Sequence, residues 1–558
     1  MRDSGGSRRD FLRRAGGAAL AASGVLAGAP ALLLASRRAH DLVVRGGTVF
    51  DGTGAPGVEA DVAVSGGRVV QVAAPIAERG VRELDARGLA VAPGFVDLHS
   101  HADGTLFDDP SVESLVRQGV TTAVVGQDGS SPTRADGSIG AFLTAVDRLR
   151  PSVNVATMVG LGTVRGRVVG LADRPATAAE LARMTALVEA ALSDGACGAS
   201  SGLEYTPGAF ASRDELVALC RPLARRGLPY ATHLRNEDDR LLDAVSEAIA
   251  VAEGAGCPLH VSHLKTQGPR NWGRLDDVFG RIDAAAARSV DVTFDRYPYL
   301  AYATGLTNLF PVWSRDGGTG AFLARLADPA TRPRLREAVL AKVALLGGWD
   351  NVLVTSVGAA ADRAAEGARL GTFAAARGAD PYDAAVGLLQ RSRGAVGMVG
   401  FAMSEPNLER ILAHPRGMPA SDGGAVAVTG PARRGHPHPR SLGTFPRVLG
   451  RYVRERRVLT LEQAVHRMTR RPAARAGLAD RGRLAPGAAG DLVVFDPATV
   501  DDRATYAAPY RYPTGIAAVV VNGTVALHDG VREDVRRGAR GGRALRATAV
   551  RTPGAAGG

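Results

Sequence analysis

Lysine is almost missing from this chain of 558 residues, with only Lys265 and Lys342 beside 66 arginines. Cysteine is scarce as well: Cys197, Cys220 and Cys257 are too few, and odd in number, for a disulfide framework, so buried free thiols are expected. Aromatic residues make up 5% of the chain, and no basic stretch is interleaved with them as a nucleic-acid surface requires. The net charge of +12 does not weaken that exclusion, because residues 1–38 and 531–558 each hold seven arginines against two acids, leaving +2 for everything between. No glycine-rich phosphate fingerprint follows the first strand-like run, which argues against a doubly wound, dinucleotide-binding sheet.

What is present is enough apolar residue, 45%, to bury a large core. The basic amino terminus explains its own charge. SRRDFLRR (7–14) precedes an Ala/Gly/Leu-rich stretch from Ala15 to Ala35, interrupted by Gly16, Gly17, Gly24, Gly28 and Pro30 and therefore a poor membrane span. Its S-R-R-x-F-L pattern resembles a twin-arginine signal, with small-residue cleavage points near Ala31 and Ala35. The expectation is export of a folded protein to the periplasm or beyond by the twin-arginine machinery, with no stable membrane insertion afterwards. The carboxyl-terminal GARGGRALRATAVRTPGAAGG (538–558) is basic, of low complexity and expected to be disordered.

Between these ends, DLVVRGGTVFDG (41–52) and ADVAVSGGRVVQVA (60–73) alternate apolar with polar or glycine positions, as antiparallel strands do. The same texture returns in GRLAPGAAGDLVVFDP (482–497) and GIAAVVVNGTVALHDG (515–530), so residues 39–93 and 481–530 are expected to build one small β-sandwich around an inserted domain, 94–480. Inside that domain eight apolar runs alternate with helical segments: FVDLH, TTAVVG, NVATMVGLG, CGASSGLEY, PYATHL, PLHVSHL, VTFDRYPY and MPASDG. This is the pattern of a (β/α)₈ TIM-like barrel, whose chemistry gathers at the carboxyl ends of the strands. The stretch from about 301 to 398, with a further strand-like NVLVTSV, is longer than one crossover needs and reads as an insertion over the barrel mouth.

Four histidines fall on the expected strand ends. His99 and His101 in DLHSHAD are two apart, so both rings project from one side of an extended backbone, and His233 and His263 end the fifth and sixth strands. His260 alternates away from His263 and is assigned to the core. Two carboxylates complete the set. Asp422 ends the eighth strand, placed to take a proton from water and pass it to a leaving group; Glu204 ends the fourth, where a charge needs a partner or a cation.

In this order these residues resemble the amidohydrolase superfamily. GFVDLHSHAD, SSGLEYTPG, THLRNE, SHLK, DRYPY, ASDG and HPRSLGTFPRVLGRYVRE resemble in particular the N-acyl-D-amino-acid deacylases, over about residues 41 to 545. The resemblance implies one or two Zn²⁺ ions, D-stereospecific hydrolysis of N-acyl amino acids, and Tyr205, Lys265, Tyr297 and either Arg433 or Arg434 as substrate contacts, the arginine gripping a carboxylate. A cyclic-amide hydrolase and a D-specific dipeptidase are the same-superfamily alternatives, and a non-catalytic exported binding protein the remote one.

The chain departs from that pattern at one place. Where the family carries a bridging cysteine after the second strand, this sequence reads GQDGSS, with Asp128 at the thiolate's position. A carboxylate can serve zinc in place of sulfur. Glu204, longer and at the end of strand four, is the favoured anionic ligand on sequence grounds, with Asp128 as its support or alternative.

Overall fold

A computed structural model describes residues 38–132 and 137–547. The targeting segment read at 1–38 lies, but for its last residue, outside the described residues, as do its cleavage points.

The two ends of the chain meet in one nine-stranded sheet, in which Leu492–Phe495 pairs antiparallel with Ala90–Pro93 and joins the carboxyl-terminal strands Ile516–Val521 and Thr524–His528 to Arg38–Val49 and Val58–Ser65. Alternate residues from both ends, among them Val44, Val62, Val64, Leu492, Val494 and Val520, share one core. The sheet is pinned at its bend by Asp61, which accepts the Gly46 and Ile76 amides at 2.8 and 3.0 Å and the Arg45 guanidinium at 3.0 Å.

The middle of the chain forms two parallel arcs. Phe95–Asp97, Val120–Val125 and Asn154–Thr157 make the first; Val159–Gly160, Ala199–Gly202, Tyr230–His233, Leu259–Val261, Val292–Arg296 and Gly417–Pro419 make the second. These strands are buried along their whole length, as parallel strands covered on both faces by helices must be. The helices start and stop where local chemistry demands. Thr177 and Glu180 form a capping box ahead of Ala178–Ser193, and Gly256, at φ 72°, ends Leu241–Ala255 in the left-handed conformation that glycine adopts without strain. The arcs abut at both edges. Met158 alone separates Thr157 from Val159; at the far edge the Asp422 amide donates to the His99 carbonyl at 2.8 Å and the His101 amide to the Gly423 carbonyl at 2.9 Å.

The expected insertion is a unit with its own core and a three-stranded antiparallel sheet of Ala301–Gly305, Val396–Phe401 and Val352–Val357. The expected disorder of the carboxyl terminus is corrected for 538–547. Ala544 and Leu545 are buried, the Leu545 amide donates to the Val155 carbonyl at 2.8 Å, and a Cβ on Gly542 would lie 2.1 Å from the Val153 carbonyl oxygen. Small residues let this basic stretch lie directly on backbone, which composition alone does not disclose. All three cysteines are free and buried, as expected. Among the described residues no helix is long and apolar enough to cross a membrane.

Burial alone would raise the Asp61 carboxyl, but the Ile76 and Gly46 amides and Arg45 outweigh it and hold it below the usual value of 3.8. Its folded value is the depressed one, so its stabilisation is present above the unfolded value and is lost as pH falls through the folded one. Asp61→Asn is expected to lower stability by about 1–3 kcal/mol at neutral pH and to flatten the acid limb of stability against pH, measured by urea unfolding between pH 7 and pH 3.

Candidate metal centre

The strand ends that carry the histidines and carboxylates named above gather at one cavity of about 540 Å³. His101, Asp128, Glu204, Tyr205, His233, His263, Lys265, Tyr297 and Asp422 line it; His99 lies just beneath and is 1% exposed. The insertion supplies another wall with Tyr302, Ala303, Thr304 and Asn308.

Asp128 is at the centre. Its Oδ2 lies 3.5 Å from His99 Nε2, 3.5 Å from His101 Nε2, 3.6 Å from His263 Nε2 and 4.0 Å from His233 Nδ1. The turn that carries it is fixed from several sides: Ser200 Oγ accepts the Gly129 amide at 3.1 Å, and Gln127 Nε2 donates to the Leu98 carbonyl at 2.8 Å. Gly129 and Gly202 are needed for their lack of a side chain, since a Cβ on Gly202 would lie 2.1 Å from the Asp128 carbonyl oxygen. Asp128, His263 and Asp422 all hold positive φ, 52°, 36° and 46°. Each such residue costs about 1–3 kcal/mol and is tolerated only where the surroundings over-determine it.

The donor atoms form two groups that share Asp128: His99, His101, Asp128 and Asp422 in one, and Asp128, His233 and His263 in the other. His99 Nε2 and Asp128 Oδ1 are buried without a hydrogen-bond partner. Orphaned imidazole and carboxylate atoms converging in a closed site are what a bound cation satisfies, and the nitrogen and oxygen donors suit zinc. Burial opposes ionisation of Asp128, yet the His99 and His263 rings outweigh it and hold the carboxyl well below its ordinary range. Asp422 is likewise held low, against burial, chiefly by Arg440.

Glu204 stands on the far side of His233. Its Oε2 is 3.5 Å from His233 Nε2 and accepts from Asn308 Nδ2 at 3.1 Å. It belongs to a third group with His233 and Glu237, not to either group built on Asp128. Burial opposes its ionisation, but His233 and Lys342 hold it at about 2. Tyr205 reaches Thr304 Oγ1 at 3.1 Å, and Tyr297 is fully buried with an unpartnered hydroxyl. Lys265 is buried, with its ammonium 2.5 Å from Glu237 and 2.8 Å from His263 Nδ1. The other lysine, Lys342, reaches from the insertion to Asp238 at 2.6 Å. Both lysines of the chain thus neutralise consecutive acids on the loop that follows His233.

The arginine reading is corrected. Arg433 donates to the Val428 carbonyl and stacks on Tyr510, while Arg434 pairs with Asp108 at the surface; both face away from the cavity. The guanidinium in the cavity is Arg440, 2.7 Å from Asp422 Oδ2. His438 fixes it, accepting the Arg440 amide at 2.9 Å and contacting the Ala301 carbonyl at 2.9 Å with its other nitrogen. Arg440 stands within the HPRS motif, so a signal was there; proximity in sequence to Asp422 pointed to the wrong pair. Asp295 also escaped sequence reasoning. It lies 3.1 Å from His99 Nδ1 and 2.9 Å from His260 Nε2 and accepts the His263 amide, which gives the core residue His260 its purpose.

The model of the amidohydrolase family matches residues 82–345 and 406–527. An N-acyl-D-glutamate deacylase of Alcaligenes xylosoxydans xylosoxydans is 38% identical over 87% of this chain and 93% of its own length. The crystal structure of N-acyl-D-glutamate deacylase from Bordetella bronchiseptica, complexed with zinc and a phosphonate mimic of the tetrahedral intermediate, superposes with a TM-score of 0.77 at 36% identity, covering 92% of this chain and 100% of that one. A D-aminoacylase structure whose binuclear metal centre shows one-metal activation and second-metal attenuation gives a TM-score of 0.76 at 36% identity over 91% and 100% of the two chains. The chain belongs to the amidohydrolase family.

Arg440→Ala leaves a buried carboxylate without its cation, a loss of about 3 kcal/mol or more. It is expected to lower kcat/KM for amide hydrolysis by about 100-fold, whereas Arg433→Ala and Arg434→Ala stay within about twofold; steady-state kinetics of the three variants checks the reassignment.

Proposed function

We propose that this chain is a zinc-dependent hydrolase that cleaves the amide bond of N-acyl-D-amino acids, releasing a carboxylic acid and the free D-amino acid. The observation that carries the reading is the convergence of four imidazoles and Asp422 on the Asp128 carboxylate, inside a chain that resembles deacylases of this class over most of its length. The two parallel arcs then constitute one (β/α)₈ barrel, with the nine-stranded sheet as the second domain and the insertion over its mouth.

His233, His263 and Asp128 would hold the principal zinc ion, and His99 and His101 a second or weaker one, with Asp128 shared. Asp128 thereby takes precedence over Glu204, the ligand favoured on sequence grounds, because it touches both donor groups. Zinc bound there supplies Lewis acidity, drawing density from a carbonyl and making water more acidic. The protein's own part begins with Asp422. Its Oδ2 is occupied by Arg440, and its Oδ1 faces the cavity 3.1 Å from His101 Nε2. Ionised, it accepts the proton of the attacking water and returns it to the departing amine nitrogen. Arg440, Lys265 and Tyr297 line the side of the cavity that receives the substrate carboxylate, and the insertion residues Tyr302 and Asn308 exclude water from the other.

Asp422→Asn is expected to keep its zinc and lose turnover by about 100- to 10,000-fold; Asp128→Asn is expected to lose zinc while Glu204→Gln retains it, read by metal analysis after dialysis. Zinc-loaded protein assayed against paired N-acetyl-D- and N-acetyl-L-amino acids, cyclic amides and dipeptides is expected to hydrolyse the D-series, and turnover confined to cyclic amides would replace the reading. We also infer export by the twin-arginine route, supported by the S-R-R-x-F-L pattern; replacing Arg8 and Arg9 by lysine is expected to retain the protein in the cytoplasm on fractionation.

A further inference from the structure

We infer that Glu237 is a positioning residue that engages the outward nitrogen of His263, with its other oxygen facing that of His233 at longer range, and so sets the orientation of the His263 ring towards zinc. Glu237 is 2% exposed and stands four residues after His233, in the loop rather than on the strand. Its Oε1 lies 3.1 Å from His263 Nδ1, and its Oε2 lies 3.8 Å from His233 Nε2. Those nitrogens are the ones turned away from Asp128, since His263 faces Asp128 with Nε2 and His233 faces it with Nδ1. A ring that ligates a cation through one nitrogen carries its proton on the other, and an acceptor on that proton fixes tautomer and orientation together. Among the described residues no other carboxylate lies within 4 Å of the outward nitrogens of both rings: Glu204 approaches His233 Nε2 alone, at 3.5 Å, and Asp295 bonds His99 Nδ1 and the His263 amide.

The carboxylate is itself held in place. Lys265 Nζ donates to Oε1 at 2.5 Å, Gln267 Nε2 donates to Oε2 at 2.8 Å, and the Gln267 amide donates to the Glu237 carbonyl at 2.8 Å. The loop is braced upstream by Arg235, whose guanidinium spans Glu247 and the Ala209 and Ala211 carbonyls. Lys265 also lies 2.8 Å from His263 Nδ1, where it can donate only while that nitrogen is bare. With a cation on Nε2 of the ring, Nδ1 would carry the proton, and Glu237 would be its acceptor with Lys265 as the counter-charge. This explains why a compact ammonium stands here in a chain otherwise supplied with arginine, since a guanidinium is too broad to share the Oε1 corner with an imidazole.

The inference rests on the zinc reading above, so its test must separate the two. Zinc affinity is measured by chelator competition on the full chain and its Glu237→Gln, Glu237→Asp, Glu204→Gln and Asp128→Asn variants, each also melted zinc-free and examined as the cobalt(II) form by visible absorption. Glu237→Gln is expected to weaken zinc binding by about 10- to 100-fold and to shift the cobalt bands. Glu237→Asp, which keeps the charge beside Lys265 but is a methylene too short to reach His263 Nδ1 equally well, is expected to fall between; zinc-free, it is expected to melt close to the parent, whereas Glu237→Gln, which leaves the buried Lys265 without its carboxylate, is expected to melt lower. Should Glu237→Gln fail to fold, the aspartate variant carries the same test. Zinc affinity within about twofold of the parent and unchanged cobalt bands in the folded Glu237 variants, with Asp128→Asn still losing zinc, overturn the positioning role alone. Retention of zinc by Asp128→Asn overturns the metal reading beneath it.

Discussion

The structure is organised around one buried carboxylate. Taking Asp128 out of water among four imidazoles is unfavourable unless the rings, or cations bound between them, return what hydration supplied. The geometry meets that demand: one oxygen lies within 4.0 Å of a nitrogen from each of His99, His101, His233 and His263. Backbone strain is part of the arrangement. Asp128, His263 and Asp422 are left-handed at the ends of three separate strands of the same rim, and a conformation that β-carbons resist is held there by hydrogen bonds to neighbouring strands, as where the Asp422 amide meets the His99 carbonyl.

Around this centre, the imidazoles that face Asp128 from within the wall each have an acid behind them. Asp295 is behind His99, Glu237 behind His263, and Glu204 with Glu237 behind His233. These acids are in turn partnered by groups from elsewhere in the fold: His260 on the sixth parallel strand hydrogen-bonds Asp295, Lys265 beyond it neutralises Glu237, and Lys342 from the insertion stands beside Glu204. Asp422 is treated alike, with Arg440 on one oxygen and His438 tying that arginine to the Ala301 carbonyl where the insertion begins. The insertion is therefore electrostatically continuous with the site it roofs. Charges alternate outwards from the centre, which is how so many ionisable groups can share a closed space.

Much of this was legible in the sequence, and for definite reasons. Strand-end residues are readable because a parallel strand is a short apolar run whose end is marked by the first polar group, which located His99, His233, His263 and Asp422. The meeting of the two chain ends was readable because both alternate with period two. Arg440 was missed in favour of Arg433 and Arg434 because nearness in sequence to Asp422 carries no information across an irregular loop, in which Arg433 and Arg434 turn to Val428 and Asp108 while Arg440 meets Asp422. Glu237 and Asp295 were missed because they lie behind the imidazoles that face Asp128. The basic terminus was misread because its charge suggested solvent, while its glycines and alanines allowed it to lie on the Asn154–Thr157 strand.

By itself, the amino-acid sequence determined which chemistry was on hand: imidazoles and carboxylates at the ends of apolar runs, and an aspartate where related chains place a thiolate. These are properties of residue type and local period, which need no partner to be read. Only the tertiary structure shows how Asp128 and Glu204 stand to the imidazoles, because both are acids at strand ends and differ in which side of His233 they occupy. That difference is set by the turn of Gly126 and Gly129 against Gly202, a contact between backbones more than seventy residues apart, and no local pattern records it.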